Sequence, residues 1–383
     1  MRFCSGESLR MRDSIIYDGR MDARSFQFNP VLGRLRMAWV LGLLLALMSL
    51  QGALAGPRLR VLAWPGYVEP EVLREFEKKT GAKVELTVID SDEALWQKLN
   101  AKPGPAFDLF AVNTAELQRY IAAGLVREVN RRLIPNTAQQ LPRFRDLAAI
   151  PGLVHGQGER ARVFGIPFAY AEMGLIYDRR QFKEPPTSIH ALWDPQWRGK
   201  VIAYNGGSHN FSLAALALGL PTPFKLPADM KPRAVDKLVD LRRNVLSFYG
   251  QPEESVRMFQ RHGAALMYAN YGMQQFQLLK AAGVDVGYAI PKEGALAWLD
   301  CWALTSAAAD LALSHAWIDH LLGKQASALL VSRQGLASTT AESAAGASSA
   351  KLLWLEPVED AAARETLWAR IRSGDRAAKV LAP

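Results

Sequence analysis

Cysteine is scarce in this chain: two residues in 383, Cys4 and Cys301. They are far apart, and Cys4 precedes a removable-looking apolar run, so no internal disulfide is expected even in an oxidising compartment. No His neighbours Cys301, which therefore reads as an inert core thiol. The six His are scattered, there is no G-x-S-x-G and no triad spacing, so a secreted hydrolase lacks its nucleophile and base. Clustered metal ligands are missing too: Tyr268 and Tyr271 form the only close pair, with His209 and His262 not placed beside them. Internal repeats are absent, as are blocks of one charge. Residues 1–55 hold seven Arg and four acids, which leaves 39 basic and 33 acidic residues spread along the rest of a chain whose formal charge is +9. That excess is too small and too diffuse for a nucleic-acid or membrane-surface partner.

A membrane-spanning run is also lacking. The apolar stretch 38–50, AWVLGLLLALMSL, has thirteen residues, too few to cross a bilayer. Arg34 and Arg36 precede it, and Ala53-Leu54-Ala55 follows as a small-x-small cleavage site. Residues 1–55 thus have the layout of a secretory signal peptide with an extended n-region, and Met21 is a candidate true start. No Cys follows the run to carry a lipid. The expectation is a monomer without cofactor, beginning near Gly56 and released into the periplasm.

What remains is long enough for two lobes. The stretch 58–63 reads as a buried strand, 70–80 as a helix stopped by Gly81, 83–89 as a strand, Ser91 onward as a helix, 107–112 as a strand and 114–123 as a helix. This β-α rhythm predicts α/β architecture: two lobes with mostly parallel sheets, whose ligands sit beyond the strands' carboxyl ends. Residues 130–162 are polar and irregular. The apolar segment 163–178, broken at Gly165-Ile166-Pro167, is expected to leave one lobe for the other near 165–170, and 291–297 to return. A strand at 201–204, a loop at 205–210 with a helix from 211, strands at 264–268 and 284–290, one helix over 310–332, a small-residue loop at 341–350 and helices within 358–380 complete the reading. The division is lobe 1 at 56–166 and 297–350, lobe 2 at 167–296, and terminal helices at 351–383 assigned to neither.

Residues 291–304, PKEGALAWLDCWAL, place one carboxylate in an apolar run. Alternation puts Trp298, Asp300 and Trp302 on one face. A buried carboxylate needs a partner. It is either a core Asp that meets a nearby Arg or Lys, or an anion left for a cationic ligand, with indole faces adding cation–π attraction.

These residues carry a resemblance. WPGYVEPEVLREFEKKTGAKV, SDEALWQKL, FDL, GIPF, LWDPQWRGKV and PKEGALAWLD stand in the order and spacing of the periplasmic polyamine (spermidine/putrescine)-binding proteins of ABC importers, over roughly residues 58–340. The resemblance implies the type II periplasmic-binding-protein fold with a two-segment hinge. It implies a polyamine or related small amine as ligand and an ABC permease in the inner membrane as partner. On the family pattern Trp64, Tyr67 and Trp298 form an aromatic box and Asp300 takes an ammonium. Asn113, Asn205, Ser208 and Tyr268 supply further polar contacts. The first-loop acid position holds Gly66, Ala115 lacks a ring, and the second-lobe loop Asn205-Gly206-Gly207-Ser208-His209 offers no acid. Asp300 is then the one matched acid, which predicts a ligand with a single cationic end; Glu172 and Glu293 are the first alternatives. A non-polyamine solute, amino-acid-like or metallic, is the other receptor reading.

Overall fold

The computed structural model describes residues 56–89, 92–101, 106–341 and 351–382; the expected signal peptide and nearly all of the 341–350 run lie outside them. The opening rhythm forms as predicted: β1 (Arg58–Ala63), α1 (Pro70–Thr80), β2 (Lys83–Val88), α2 (Asp92–Asn100), β3 (Leu109–Asn113) and α3 (Thr114–Ala122). Pro70 starts α1, where a missing N–H costs nothing; Val72 and Phe76 face the core, and Gly81 closes the helix at φ 70°. β1 pairs in parallel with both β2 and β3. The irregular region holds β4 (Val126–Arg127), α4 (Pro142–Arg145) and a hairpin of β5 (Val154–His155) with β6 (Arg162–Val163).

The first crossing lies later than expected. β7 (Ile166–Glu172) stays in the first sheet and β8 (Gly174–Asp178) belongs to the second, so the chain changes lobe at Met173 rather than within 165–170. Pro167 does not break the strand because the pairing shifts register beside it, from Asp300↔Ala169 to Cys301↔Pro167. A bulge of this kind tolerates a residue without a ladder N–H.

The second sheet adds β9 (Val201–Tyr204), β10 (Val245–Tyr249), β11 (Leu266–Ala269) and β12 (Val286–Ala289), in the order β10-β9-β11-β8-β12. Its helices are α5 (Gly207–Ala217), α6 (Lys231–Asn244), α7 (Pro252–His262) and α8 (Met273–Ala281). α5 begins at Gly207, not at 211, so Ser208 and His209 lie in its first turn instead of a loop. Along β8, Leu175 and Tyr177 join one apolar cluster while Ile176 joins another. Both faces of this sheet are therefore covered.

β13 (Ala295–Thr305) returns to the first sheet, antiparallel between β3 and β7. The helix expected over 310–332 is two, α9 (Leu311–Leu321) and α10 (Lys324–Gln334), because Gly323 takes an extended conformation between them. β14 (Ala337–Ser338) pairs β7, and β15 (Leu352–Trp354) runs parallel to the start of β13. α11 (Ala361–Arg372) and α12 (Ala377–Val380) then pack on α5 and α6 of the second lobe. The sheets are mixed. Parallel pairs come from the β-α-β units and from β15, and the antiparallel ones mostly involve strands that pass between lobes.

Candidate binding site between the lobes

β13 carries its residues into the junction of the two cores. Trp302 is wholly buried and packs edge-on to Trp317, with ring centroids 6.1 Å apart; it belongs to the core. Trp298 packs against the cores of both lobes, and its indole N–H donates to the Asn270 carbonyl at 3.1 Å. Asp300 is 5% exposed. Its Oδ2 accepts from the Tyr67 hydroxyl, and among the described residues no Lys or Arg forms an ion pair with it. Burial pushes its pKa up to about 7, Tyr67's hydrogen bond opposing and the charge of Asp92 assisting. Burial, then the Asp300 charge, likewise raises the Tyr67 phenol.

Local geometry explains why Tyr67 reaches the acid. Its N–H bonds back to the Trp64 carbonyl at 3.2 Å, closing a turn in which Gly66 takes φ 78°. A Cβ at Gly66 would also fall 2.2 Å from Gln334 Oε1. The position that holds an acid in the family pattern thus favours glycine through its backbone, and a side chain there would also have to displace the end of Gln334. Trp64 is half-buried against the first core with its Nε1 sealed and unpartnered, and Tyr67 packs edge-on to Phe168 at 5.1 Å.

Beside this cluster lies a cavity of about 570 Å³, lined on one side by Asp92, Asn113, Glu116 and Arg119 and on the other by Tyr204, Asn205, Ser208, His209 and Glu365. Asn113 sits opposite Asp300 in the β3–β13 register and caps α3, its Oδ1 accepting from the Glu116 N–H at 2.9 Å. Asn205 and Ser208 reach the cavity with much of their polar capacity already used. Asn205 Oδ1 accepts from the Trp368 indole N–H at 3.0 Å and from Arg372 at 2.5 Å. The Ser208 N–H donates to Glu365 at 3.2 Å, next to the Gly207 N–H at 2.7 Å, and the Ser208 carbonyl accepts from Arg364. Tyr268 is not brought to the site. It is 0% exposed inside the second core, its hydroxyl against Met173 Sδ at 3.5 Å, and it is not part of the cavity lining.

The structure also assembles residues that sequence reasoning missed. Asp92, read only as the start of a helix, lines the cavity. Burial, aided by the charge of Glu116 and opposed by Arg119, pushes it up to about 7, and its Oδ1 is sealed with no hydrogen-bond partner. Asp300 is therefore not the only acid in this region: the cavity lining itself holds Asp92, Glu116, Glu356 and Glu365. Tyr204 ends β9, where the strand-end rule could have flagged it, and its ring meets Tyr271 perpendicularly at 6.0 Å. His209 is held down to about 4, first by burial and then by Arg364. Of the alternatives, Glu293 is committed to Ser188 Oγ at 2.6 Å and the Ile189 N–H at 3.0 Å. Glu172 is buried at the crossing, outside the cavity lining, and burial raises its pKa. Among the described residues no three His, Cys, Asp or Glu gather as a metal site.

Comparison with known proteins agrees with this architecture. The family description "Bacterial extracellular solute-binding protein" matches residues 71–357. The spermidine/putrescine-binding periplasmic protein 1 of Haemophilus influenzae is 25% identical over 276 residues, 71% of this chain and 72% of its own. The putrescine-binding periplasmic protein of Escherichia coli K12 is 27% identical over 305 residues, 75% of this chain and 80% of its own. In structure, the TpPotD lipoprotein of Treponema pallidum superposes with a TM-score of 0.68 at 14% identity, covering 82% of this chain and 99% of that one.

Proposed function

The chain belongs to the bacterial extracellular solute-binding protein family, and from that premise we propose that it is the periplasmic receptor of an ABC importer. It captures a polyamine or related small amine between its lobes and delivers it to an inner-membrane permease. The names of the two sequence relatives support the amine. The observation that carries it is the state of Asp300: a buried carboxyl at the lobe junction, hydrogen-bonded to a phenol and without an ion-pairing Lys or Arg among the described residues. A core Asp with a structural role would have met an Arg or Lys, as Asp178 meets Arg180 at 2.8 Å. An ammonium entering beside Asp300 would supply the missing counter-charge, gaining a charge-assisted hydrogen bond of about 1.5–3 kcal/mol. The Trp298 contact between the two cores fits a hinge whose closure buries the ligand.

The test is mass spectrometry of whatever co-purifies from the native host, followed by calorimetry against diamines, triamines, monoamines and amino acids at fixed ionic strength. An amine recovered and bound is expected. A tightest ligand without any amine would overturn the reading.

A further inference from the structure

We infer that Gln334 is a positioning residue of the binding site: from the end of α10 it clamps the turn that carries Tyr67 and so holds the phenol on Asp300. This rests on the amine reading above and adds to it a residue that acts through Tyr67. The turn is gripped at both ends. Gly66 lies against the Gln334 carboxamide, where a Cβ would fall 2.2 Å from Oε1 and 2.5 Å from Cδ. Three residues on, Glu69 Oε1 accepts from Gln334 Nε2 at 2.8 Å, and Glu69 Oε2 accepts from Arg333 at 2.9 Å. Arg333 also donates to both Glu71 oxygens, at 2.9 and 2.6 Å. Between the two grips stands Tyr67, whose hydroxyl donates to Asp300.

Glu69 shows that this contact is more than a surface pairing. It is the N-cap of α1, where a side chain ordinarily satisfies an orphan N–H of the first turn, yet its carboxylate makes no capping bond. Its side chain is 11% exposed and turned to α10 instead. Pro70 behind it favours the extended backbone it adopts, with φ −70° and ψ 141°. The far side of the clamp bears on the second lobe. Gly335 ends α10 at φ 67°, and a Cβ there would lie 2.7 Å from Gln274 Cα and 2.9 Å from Gln277 Oε1, both on α8. Gln334 is thus lodged between the Tyr67 turn and the point where α10 meets the other lobe. Packing on Phe168 sets how the Tyr67 ring lies, but a ring edge does not hold a backbone turn, and contacts at Gly66 and Glu69 do. Once the Tyr67 hydrogen bond is lost, the Asp300 carboxyl should rise, since that bond opposes the effect of burial. The other ionisable groups bearing on it, Asp92 and Cys301, stay in place.

The experiment follows the Asp300 carboxyl by carbon-13 NMR across pH in ligand-free wild type, Gln334→Ala, Tyr67→Phe and the double variant. Calorimetry then measures the affinity of each for 1-aminobutane at pH 6 and pH 9. Gln334→Ala should move the Asp300 midpoint up by about one pH unit, as Tyr67→Phe does, and should add nothing to that shift in the double variant. Its loss of affinity should be about tenfold greater at pH 6 than at pH 9, because only at the lower pH must the amine displace the more tightly held proton. Gln334→Glu, which sets like charge against Glu69, should raise the midpoint too, and adding Glu69→Gln, which exchanges donor and acceptor, should restore it. An unmoved midpoint in Gln334→Ala, or shifts that add in the double variant, would overturn the clamp. A swap that fails to restore the midpoint would do the same, and so would equal affinity losses at both pH values, the mark of a residue that only stabilises the fold. Wild type binding no amine would bring down the receptor reading, while the ligand-free titrations would still decide the clamp.

Discussion

The Asp300 cluster at the lobe junction (the first wall) and the second-lobe side of the neighbouring cavity (the second wall) were written into the chain in different ways. On the first-lobe side, Trp298 and Asp300 lie two residues apart on one strand, and Tyr67 is three residues from Trp64 in one turn. Alternation singled out Trp298 and Asp300, the family resemblance added Trp64 and Tyr67, and Asp300 and Tyr67 do meet. On the second-lobe side, Asn205, Ser208 and Tyr268 were nominated by the family resemblance, and their surroundings are decided by residues far away in sequence. Trp368 and Arg372 claim the Asn205 oxygen, Glu365 and Arg364 claim the Ser208 backbone, and Met173 faces the Tyr268 hydroxyl. Strand periodicity reports which face a residue takes. It does not report what a C-terminal helix will do on returning to that face.

The largest expected effect tests the first wall. Asp300→Asn keeps the shape and removes the charge that an ammonium would meet, so amine affinity should fall on the order of 100-fold, about 3 kcal/mol. Calorimetry measures it. A loss under about threefold would place the acid in the core after all, held by Tyr67 for packing.

Next comes pH. The Asp300 carboxyl of the free protein is held up to about 7, so below that pH an incoming ammonium must first displace a proton. Affinity for a permanently charged amine should fall roughly tenfold per pH unit below 7 for each acid engaged. Stability of the ligand-free protein runs the other way. A carboxyl raised from 3.8 binds its proton more tightly folded than unfolded, so its contribution declines as pH rises from about 4 to about 7. His209, held down to about 4, is opposite in sign: it costs stability as pH falls from 6.5 towards 4. Melting curves of Asp300→Asn against wild type isolate the Asp300 share, because the variant loses that part of the decline between about pH 4 and 7 and keeps the part due to Asp92 together with the histidine's acid-side loss. Parallel curves would mean that Asp300 does not titrate in that window.

The second wall should answer in stability. Asn205→Ala leaves the indole N–H of Trp368 and one Arg372 donor without their acceptor, a cost of about 1–3 kcal/mol. Denaturant melts should show it as a lower midpoint at unchanged slope. If amine affinity falls further than stability does, Asn205 works on the ligand and the contrast between the walls fails.

How much was legible follows from range. The opening strands and helices, from β1 to α3, matched because each carries its own period and stop, Gly81 and Pro70 among them. The crossing was misplaced because Pro167 reads as a break, and only the register shift on β13 shows how the strand absorbs it. Asp92 was passed over because an acid at a helix start has an ordinary explanation in the helix dipole. Its cavity needs α3 and β9 in place before it exists. Tyr268 was chosen through the family resemblance, whereas the neighbouring Tyr204 and Tyr271 form the aromatic crossing at the cavity.

The smallest effect is expected at Tyr268, and it is the cleanest way to break the comparison. Tyr268→Phe removes one hydroxyl from a wholly buried ring whose hydroxyl contact at that distance is a thioether sulfur, a weak acceptor. The ring itself stays in the second core, so no cavity larger than the lost oxygen opens. A hydrogen bond of this kind contributes less than the ~1 kcal/mol typical of neutral pairs, and removing the donor strands no strong acceptor. Stability should change by under about 1 kcal/mol in denaturant melts, and amine affinity should hold within about twofold. A loss of affinity beyond about tenfold, with stability unaltered, would mean that the hydroxyl reaches the ligand. The second sheet would then have to rearrange on binding, and both walls would belong to one site read correctly from the resemblance.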